Sequence, residues 1–219
     1  MDTRMSFHQS LEDLQKELLS MGSDVERQLH NAVESLQNLD ESQARAVVDF
    51  DDKIDEAMLR IEERCLRLIA LQQPMASDLR LIGMTLKVAI DLERIADHAV
   101  DIAKITIRLF GQQLVKPLVD IPRMTEIARE MLRGCLTAFA EKDIHKAAEL
   151  AKKDDEVDKI YSTVMTEIVS LMGSDFTTNK QLTHLLMVAH YIERIADHTT
   201  NIGEGLIYLV TGKRKDLNV

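Results

Sequence analysis

An internal repeat constrains the fold of this chain more than any other feature. The block Glu93–His98 returns unchanged as Glu193–His198, 100 residues later. Upstream, the acidic segment Asp51–Asp55 is echoed by Asp154–Asp158 at an offset of 103 residues. The offset changes between the two matched blocks, where both halves carry turn-forming residues, and changes of length are tolerated in turns. The sequence therefore predicts a tandem duplication.

The composition indicates that both halves are helical. Of 219 residues, 45% are hydrophobic and 29% are charged, which is too apolar for a disordered chain. Only 8 Gly and 3 Pro are present, too few for a turn-rich β-sandwich or barrel. The abundant residues, such as Leu, Ala, Glu, Lys and Met, are strong helix formers. We predict an all-α fold.

Apolar periodicity predicts three long helices in each half, six in total. The expected helices are 6–39, 41–72 and 75–110, then 123–140, 143–172 and 177–211. Asp40 is a favourable N-cap for the second helix, with Gln43 at the capping-box spacing, and Asp143 takes the equivalent place in the second half. We predict two three-helix bundles, over residues 1–111 and 123–219, joined by a connecting segment at 112–122.

Charge, hydropathy and cysteine usage limit the partners and the compartment. The formal net charge of −10 argues against a nucleic-acid-binding module, which needs cations to neutralise phosphates. No stretch approaches the length of uncharged apolar sequence that a membrane span requires, and no signal peptide is recognisable. Cys65 and Cys135 lack a metal-binding or redox spacing, so we expect two buried free thiols. These features predict a soluble cytoplasmic protein.

The third helix of the first half carries an unusual row of carboxylates. On a helical wheel, Glu93 and Asp97 lie at the edge of the apolar face, and Asp101 extends their row by one turn. Like charges four residues apart repel each other, so something outside the helix is expected to compensate. Asp91 and His98 fall on the opposite side and are expected to face solvent.

Hairpin geometry adds further carboxylates to each row. Antiparallel helices would bring Asp55 level with Glu93 and Asp52 level with Asp97, and in the second half Asp158 level with Glu193 and Asp155 level with Asp197. Four carboxylates per half form an environment for a hard cation such as Mg²⁺, Mn²⁺, Ca²⁺ or iron. The alternative is a row of surface carboxylates paired with Lys and Arg. Asn201 replaces Asp101 in the second half, which weakens that row.

Sequence signatures of known catalytic sites are absent. The chain contains no Glu-x-x-His, no P-loop, no dinucleotide fingerprint and no nucleophile elbow. A metal-dependent hydrolase that activates water at the acidic rows stays open as an alternative, although no residue is singled out as the base. A structural helical bundle without metal is a second alternative. We favour a protein that is not an enzyme.

The repeated Glu-Arg-Ile-Ala-Asp motif, together with the turn Gln73-Pro74-Met75-Ala76-Ser77-Asp78-Leu79-Arg80, resembles the PhoU family of phosphate-transport regulators. The resemblance covers essentially the whole chain. It implies two similar three-helix bundles and a negative regulator of the phosphate starvation response and of high-affinity phosphate uptake.

The same resemblance implies partners and a metal cofactor. The expected partners are the ATPase subunit of a phosphate ABC transporter and a phosphate sensor histidine kinase, with peripheral membrane association through them and a homodimeric state. Metal ions, including iron or zinc, are implied at Glu93 and Asp97, with Asp101, and at Glu193 and Asp197; the oxygen-only ligands add manganese or magnesium as candidates.

Overall fold

The computed structural model describes residues 3–214 and residue 217, with side chains from Met5 onward. The described residues form seven helices and no strand: α1 (Thr3–Asn38), α2 (Glu41–Gln72), α3 (Ala76–Leu109), α4 (Asp120–Glu141), α5 (Ile144–Ala151), α6 (Asp154–Leu171) and α7 (Phe176–Thr211). The all-α prediction is confirmed. Helix α4 begins at Asp120, so the end of the predicted connecting segment 112–122 is helical.

The side chains of Asp40, Asp143 and Asp175 cap the first turns of α2, α5 and α7. The Asp40 carboxylate accepts a hydrogen bond from the Gln43 amide at 2.9 Å, as predicted. The reciprocal half of the capping box does not form, because the Asp40 amide donates to the Ser35 carbonyl at 2.8 Å; the Gln43 side chain donates to Glu34. Asp143 caps α5 in the equivalent way, and its pKa lies below the ordinary range because it accepts backbone hydrogen bonds from Lys146 and His145.

One predicted helix is divided in two. The sequence predicts a single helix over 143–172, whereas the structure places a turn at Lys152 and Lys153, between α5 and α6. The amides of both lysines donate to carbonyls three residues back, at 3.3 and 3.0 Å, so the backbone is locally tightened. Three acidic residues, 154–156, then form the first turn of α6, where the positive end of the helix dipole favours negative charge.

The last helix of each half, α3 or α7, lies at the centre of the molecule. Helix α3 packs on α1, α2 and α7, and α7 packs on α3, α4, α5 and α6. Both are buried along most of their length because apolar side chains cover more than one face, with Ile95 and Ile195 fully buried. Cys65 and Cys135 are free and buried, as predicted.

An approximate twofold relationship joins the two halves. Helices α3 and α7 cross antiparallel, with Asp91 beside His198 and, in the equivalent place, His98 stacked on Tyr191. The prediction that Asp91 and His98 face solvent is wrong: Asp91 is 7% exposed and His98 is half-buried. A helical wheel identifies the largest apolar face, but it cannot show that a second helix covers the polar one.

The outer contact between the halves follows the same symmetry. Glu26 of α1 and Arg129 of α4 are separated by the repeat offset of 103 residues, and they form an ion pair at 2.8 Å. Arg133 binds the same carboxylate at 2.7 Å. Gly22 lies close to this contact and leaves room for Leu136 of α4, so its place in the middle of α1 serves helix packing.

Candidate functional site

The predicted carboxylate row of the first half converges with two residues of α2. We call Asp51, Asp55, Glu93, Asp97 and Asp101 the first acidic cluster. Partial burial raises the pKa of Glu93, and the negative charges of Asp97, Asp55 and Asp51 raise it further against the opposing effect of Arg94. The cluster therefore holds more negative charge than its own cations neutralise.

Asp51 belongs to the cluster, although the sequence prediction named Asp52. Burial raises the pKa of the Asp51 carboxyl, Asp55 and Asp97 add to the rise, and a 3.4 Å hydrogen bond from the Gln28 amide opposes it. Asp52 is exposed, as Asp55 is, but the α2 carboxylates that influence the pKa of Glu93 are Asp51 and Asp55. Counting residues outward from the turn of the hairpin could not decide which of two adjacent residues, Asp51 or Asp52, faces α3. The sequence did contain a signal that favours Asp51: it lies four residues before Asp55, so both residues are on the same helix face.

Asp101 lies at the far end of the first acidic cluster. Burial raises the pKa of this carboxyl and Asp97 contributes, while Lys104 opposes the rise. The Lys104 ammonium lies 3.9 Å from the Asp101 carboxylate. Asp101 is thus electrostatically part of the row, as the sequence predicts, with a lysine as its nearest cation.

The second acidic cluster is formed by Asp155 and Asp158 of α6 and by Glu193 and Asp197 of α7. Burial raises the pKa of Glu193, and the charges of Asp197 and Asp158 raise it further. The pKa of Asp158 is raised by burial and then by Asp197 and Asp155. Each of the four residues that the sequence predicts for this half therefore interacts electrostatically with at least one of the others.

Two features distinguish the second cluster from the first. His190 replaces an isoleucine of the first half, and its Nδ1 lies 3.4 Å from the Glu193 Oε2 atom. Asn201 stands where the first half has Asp101. The carboxylate of Glu204, one turn further on, accepts a hydrogen bond from the Leu217 amide at 2.9 Å, which connects Leu217 to α7.

An arginine is bound to the aspartate of each motif. Arg194 Nη1 lies 2.7 Å from Asp197 Oδ2, and Arg94 Nη1 lies 3.1 Å from Asp97 Oδ2. Arg94 also approaches Glu93 at 3.4 Å, and its side chain is more than half exposed. A cation entering either cluster would compete with these guanidinium groups for the aspartate oxygens.

The chemistry of the residues fits a hard cation, while the arrangement of the side chains is not that of a preformed site. Glu193 Oε2 is buried and accepts no hydrogen bond within the described part of the chain, and its nearest ionisable neighbour is His190 Nδ1 at 3.4 Å. Across residues 3–214 and residue 217, no three Cys, His, Asp or Glu side chains are grouped closely enough to hold one ion. Binding would therefore require side-chain rearrangement, beginning with the arginine contacts.

A search for membrane-spanning helices gives a negative result for the residues that the structure describes. None of the helices there combines the length and the apolar character that crossing a bilayer requires.

Comparison with known proteins shows the same repeat. The family model described as "PhoU domain" matches twice, over residues 18–106 and 121–206. The chain is 44% identical over 217 residues to the phosphate-specific transport system accessory protein PhoU homolog of Clostridium acetobutylicum, covering 99% of each chain. It is 34% identical over 207 residues to the accessory protein PhoU of Escherichia coli, covering 94% of this chain and 86% of that protein.

Solved structures agree with the sequence relatives. The crystal structure of PhoU from Pseudomonas aeruginosa superposes with a TM-score of 0.90 at 37% identity, covering 94% of this chain and 100% of that one. The phosphate transport system regulatory protein PhoU from Streptococcus pneumoniae gives 0.88 at 33% identity, covering 96% and 99%. With both repeats matched and the whole chain aligned, this chain belongs to the PhoU family.

Proposed function

We propose that this protein regulates phosphate transport and is not an enzyme. The support is similarity along the full chain to proteins named as accessory or regulatory components of phosphate transport systems. The finer role we propose is negative regulation of the phosphate starvation response and of high-affinity uptake. In that role the protein acts as a scaffold between the ATPase subunit of the transporter and a sensor histidine kinase.

The acidic clusters are the proposed metal-binding part of this scaffold. The observation that carries this proposal is the partial burial of Glu93 and Glu193 beside other carboxylates, with Glu193 Oε2 left without a hydrogen bond. Glu93, Asp97, Asp101, Asp51 and Asp55 would hold ions in the first half. In the second half, Glu193, Asp197, Asp155 and Asp158 would do so.

A bound cation would supply positive charge where the fold leaves carboxylates in excess. The side chains of α2 and α6 would then be held against α3 and α7, which orders the surface on which a partner docks. Regulation requires that a partner or ion binds one state of this surface more tightly than another. Oxygen ligands suit magnesium, manganese or iron, and zinc is a further candidate.

Elemental analysis tests the metal assignment. We compare protein purified without chelator with the Glu93→Ala/Asp97→Ala/Glu193→Ala/Asp197→Ala variant, after circular dichroism has confirmed equal helix content. The matched control removes four exposed carboxylates outside the clusters, Glu12→Ala/Asp49→Ala/Glu141→Ala/Glu149→Ala. Metal lost from the cluster variant and kept by the control supports the assignment. Equal metal in all three proteins, or none in the wild type, overturns it.

A cellular assay tests the regulatory role separately. In a bacterial host that lacks its own regulator of this family, the wild-type chain should lower a phosphate-starvation reporter when phosphate is abundant. The cluster variant should lose this effect if metal is needed for docking. An unchanged reporter with the wild-type chain at equal expression contradicts the regulatory proposal, whereas metal-dependent hydrolysis of a phosphate ester by the purified protein would favour an enzyme.

A further inference from the structure

The first hairpin exposes large apolar side chains on the side where α2 and α3 face solvent together. Leu59, Leu66 and Ile69 of α2 and Leu79 and Ile90 of α3 are between 36% and 59% exposed. We call these five residues the apolar face. A group of exposed apolar side chains on one surface typically marks a contact with another molecule.

The register of the hairpin brings the two rows of the apolar face together. The Cys65 Sγ atom lies 3.7 Å from the Ile82 carbonyl oxygen, so these two residues are level across the helix pair. Ile69 is four residues from Cys65 towards the turn, and Leu79 is three residues from Ile82 in the same direction. These two side chains are therefore nearly level as well, and Leu66 lies one turn from Ile69 on the same helix face.

The apolar face continues directly into the first acidic cluster. Asp55 lies four residues from Leu59, and Glu93 lies three residues from Ile90, in each case on the same helix face. From Ile69 to Asp55 the surface extends about 21 Å along α2. One side of the hairpin is thus apolar near the turn and acidic near the crossing of the two halves.

Negative charge exceeds positive charge along this side of the hairpin. The cations there are Lys87, Arg94 and Lys104, and Arg94 is shared by two carboxylates, at 3.4 Å from Glu93 and 3.1 Å from Asp97. The carboxylates are twice as many: Asp51, Asp55, Glu62, Glu93, Asp97 and Asp101. One bound divalent ion would still leave a net negative charge on this side.

Other cations of α2 lie on a different side of the helix. Lys53 lies over the Phe50 ring, 5.0 Å from its centroid. The arginines at positions 60, 64 and 67 line the cavity between α1 and α2, where the first two contact Glu17 at 3.5 and 3.3 Å. These groups do not neutralise the carboxylates that face solvent beside α3. The remaining excess of negative charge favours a cationic partner.

The second half lacks a comparable face across two helices. Asn179 and His190 stand at the positions equivalent to Leu79 and Ile90. The Asn179 side chain forms hydrogen bonds with the Gly173 backbone at 3.1 and 2.8 Å, so it belongs to the turn. The repeat fold therefore does not require apolar side chains at positions 79 and 90. Their presence in the first half indicates a contact outside the bundle.

We propose that the apolar face and the first acidic cluster together dock a basic amphipathic helix of a partner protein. Apolar side chains of that helix pack on Leu66 and Leu79, and its lysines or arginines approach Asp55 and Glu93. Nucleic acids and anionic membranes carry the wrong charge for this surface. The proposal rests on the scaffold function proposed above and gives the chemistry of one segment that docks on it.

Two peptides of identical composition test whether the order of apolar and charged residues is recognised. The probe is a fluorescent helical peptide with leucines along one face of one half and lysines along the same face of the other half. The comparison peptide interleaves the same leucines and lysines. Both carry the same net charge, so general attraction to an acidic protein is equal for the two.

Fluorescence anisotropy in the presence of EDTA measures both affinities. The wild-type protein should bind the segregated peptide at least about fivefold more tightly than the interleaved one, because only the segregated peptide matches apolar and acidic surface together. Equal affinity for the two peptides, or failure to bind the segregated one, overturns the proposal.

Substitution within the apolar face supplies the second arm. Leu66→Ser/Leu79→Ser should weaken binding of the segregated peptide about fivefold or more, because apolar burial is lost. The matched control Leu71→Ser/Val210→Ser replaces two exposed apolar residues outside the face and should leave the affinity largely unchanged. Circular dichroism verifies that both variants keep their helix content. Equal weakening by the two variants overturns the proposal.

Neutral substitutions in the acidic cluster supply the third arm. Asp55→Asn/Glu93→Gln should weaken binding of the segregated peptide about fivefold. The matched control Asp49→Asn/Glu149→Gln removes the same charge at exposed sites elsewhere and should have a clearly smaller effect. Equal effects would mean non-specific charge attraction and overturn the proposal. Because EDTA removes metal, failure here is distinguishable from failure of the metal assignment, and the reporter assay tests regulation independently.

Sedimentation velocity distinguishes a second copy of the chain as occupant. If wild-type dimers become monomers in the Leu66→Ser/Leu79→Ser variant but not in the Leu71→Ser/Val210→Ser control, the apolar face is a contact between copies and the proposal of a partner helix is wrong. An unchanged sedimentation coefficient across the three proteins, together with preference for the segregated peptide, supports the docking site.

Discussion

Asp91 of α3 and His198 of α7 lie 3.0 Å apart, Oδ1 to Nδ1, at the crossing of the two halves. The repeat-equivalent position of Asp91 is Tyr191, which stacks on His98 with ring centroids 5.5 Å apart. The two symmetry-related positions thus make different contacts, a hydrogen bond on one side and ring stacking on the other. Because His198 follows Asp197 directly, this crossing also fixes the second acidic cluster relative to the first half.

We expect Asp91→Ala to lower the free energy of unfolding by about 1–3 kcal/mol, because it leaves the partly buried His198 ring without its hydrogen-bond partner. Urea denaturation of Asp91→Ala, His198→Ala and the double variant gives the coupling between the two side chains, expected at about 0.5–3 kcal/mol. Asp49→Ala, at an exposed site, serves as a control. Strictly additive effects would show that the 3.0 Å contact contributes no interaction energy.

Glu193→Gln should stabilise the metal-free protein at neutral pH. Folding raises the pKa of this carboxyl above its ordinary value of 4.5, chiefly by burial, so the folded state becomes relatively less stable as the pH rises through that range. The substitution removes the ionisation, and the urea midpoint should rise at neutral pH. Below pH 4.5, where both states hold the proton, the difference should disappear. A midpoint that falls at neutral pH would contradict this reasoning.

Arg194→Gln should tighten cation binding at the second acidic cluster. The guanidinium lies 2.7 Å from Asp197 and must be displaced before an ion can use that oxygen. Partly exposed ion pairs contribute up to about 1 kcal/mol, so the affinity should rise by about fivefold or less. Calorimetric titration with Mn²⁺ measures it, with Arg45→Gln as the control. Weaker binding by Arg194→Gln would mean that the arginine positions the ligands.

Two glycines at the contact between the halves should respond differently to alanine. A Cβ atom on Gly22 would overlap the branched end of Leu136, whereas one on Gly205 would meet only the terminal methyl of Met84. Overpacking against Leu136 is expected to destabilise Gly22→Ala by about 1–3 kcal/mol. For Gly205→Ala, the flexible methionine can move, and the gain in helix propensity, up to about 1 kcal/mol, should offset most of the strain. Thermal denaturation compares the two, and a more stable Gly22→Ala would refute the packing argument.

Both cysteines should be unreactive in the native protein. Burial raises the pKa of Cys65 to about 11 and that of Cys135 to about 12, so little thiolate exists at neutral pH. A chromogenic disulfide reagent should therefore label neither thiol rapidly until urea is added, and then label both. Rapid labelling of Cys135 without denaturant would indicate local opening between α4 and its neighbours.

Local sequence was sufficient to predict the duplication and most of the helices, although not the turn that separates α5 from α6. The signals were the periodic apolar residues, the N-cap Asp40 and the repeated Glu-Arg-Ile-Ala-Asp block. Each acts over one or a few helical turns, so its structural effect can be predicted from residues that are close in the chain. The approach of Asp55 to Glu93 could also be predicted. A short turn between two straight helices determines which residues of one helix lie opposite which residues of the other. The same reasoning explains why Asp51 and Asp52 could not be distinguished.

The sequence by itself determined that this is a duplicated helical protein with carboxylates along both inner hairpins. Only the tertiary structure decided that Asp91 and His98 are covered and that Gly22 accommodates Leu136. Each of these depends on how one half or one helix packs against another. Apolar periodicity predicts which face of a single helix is buried. Whether a polar residue on another face is also covered depends on helix packing between residues about 100 positions apart in the chain.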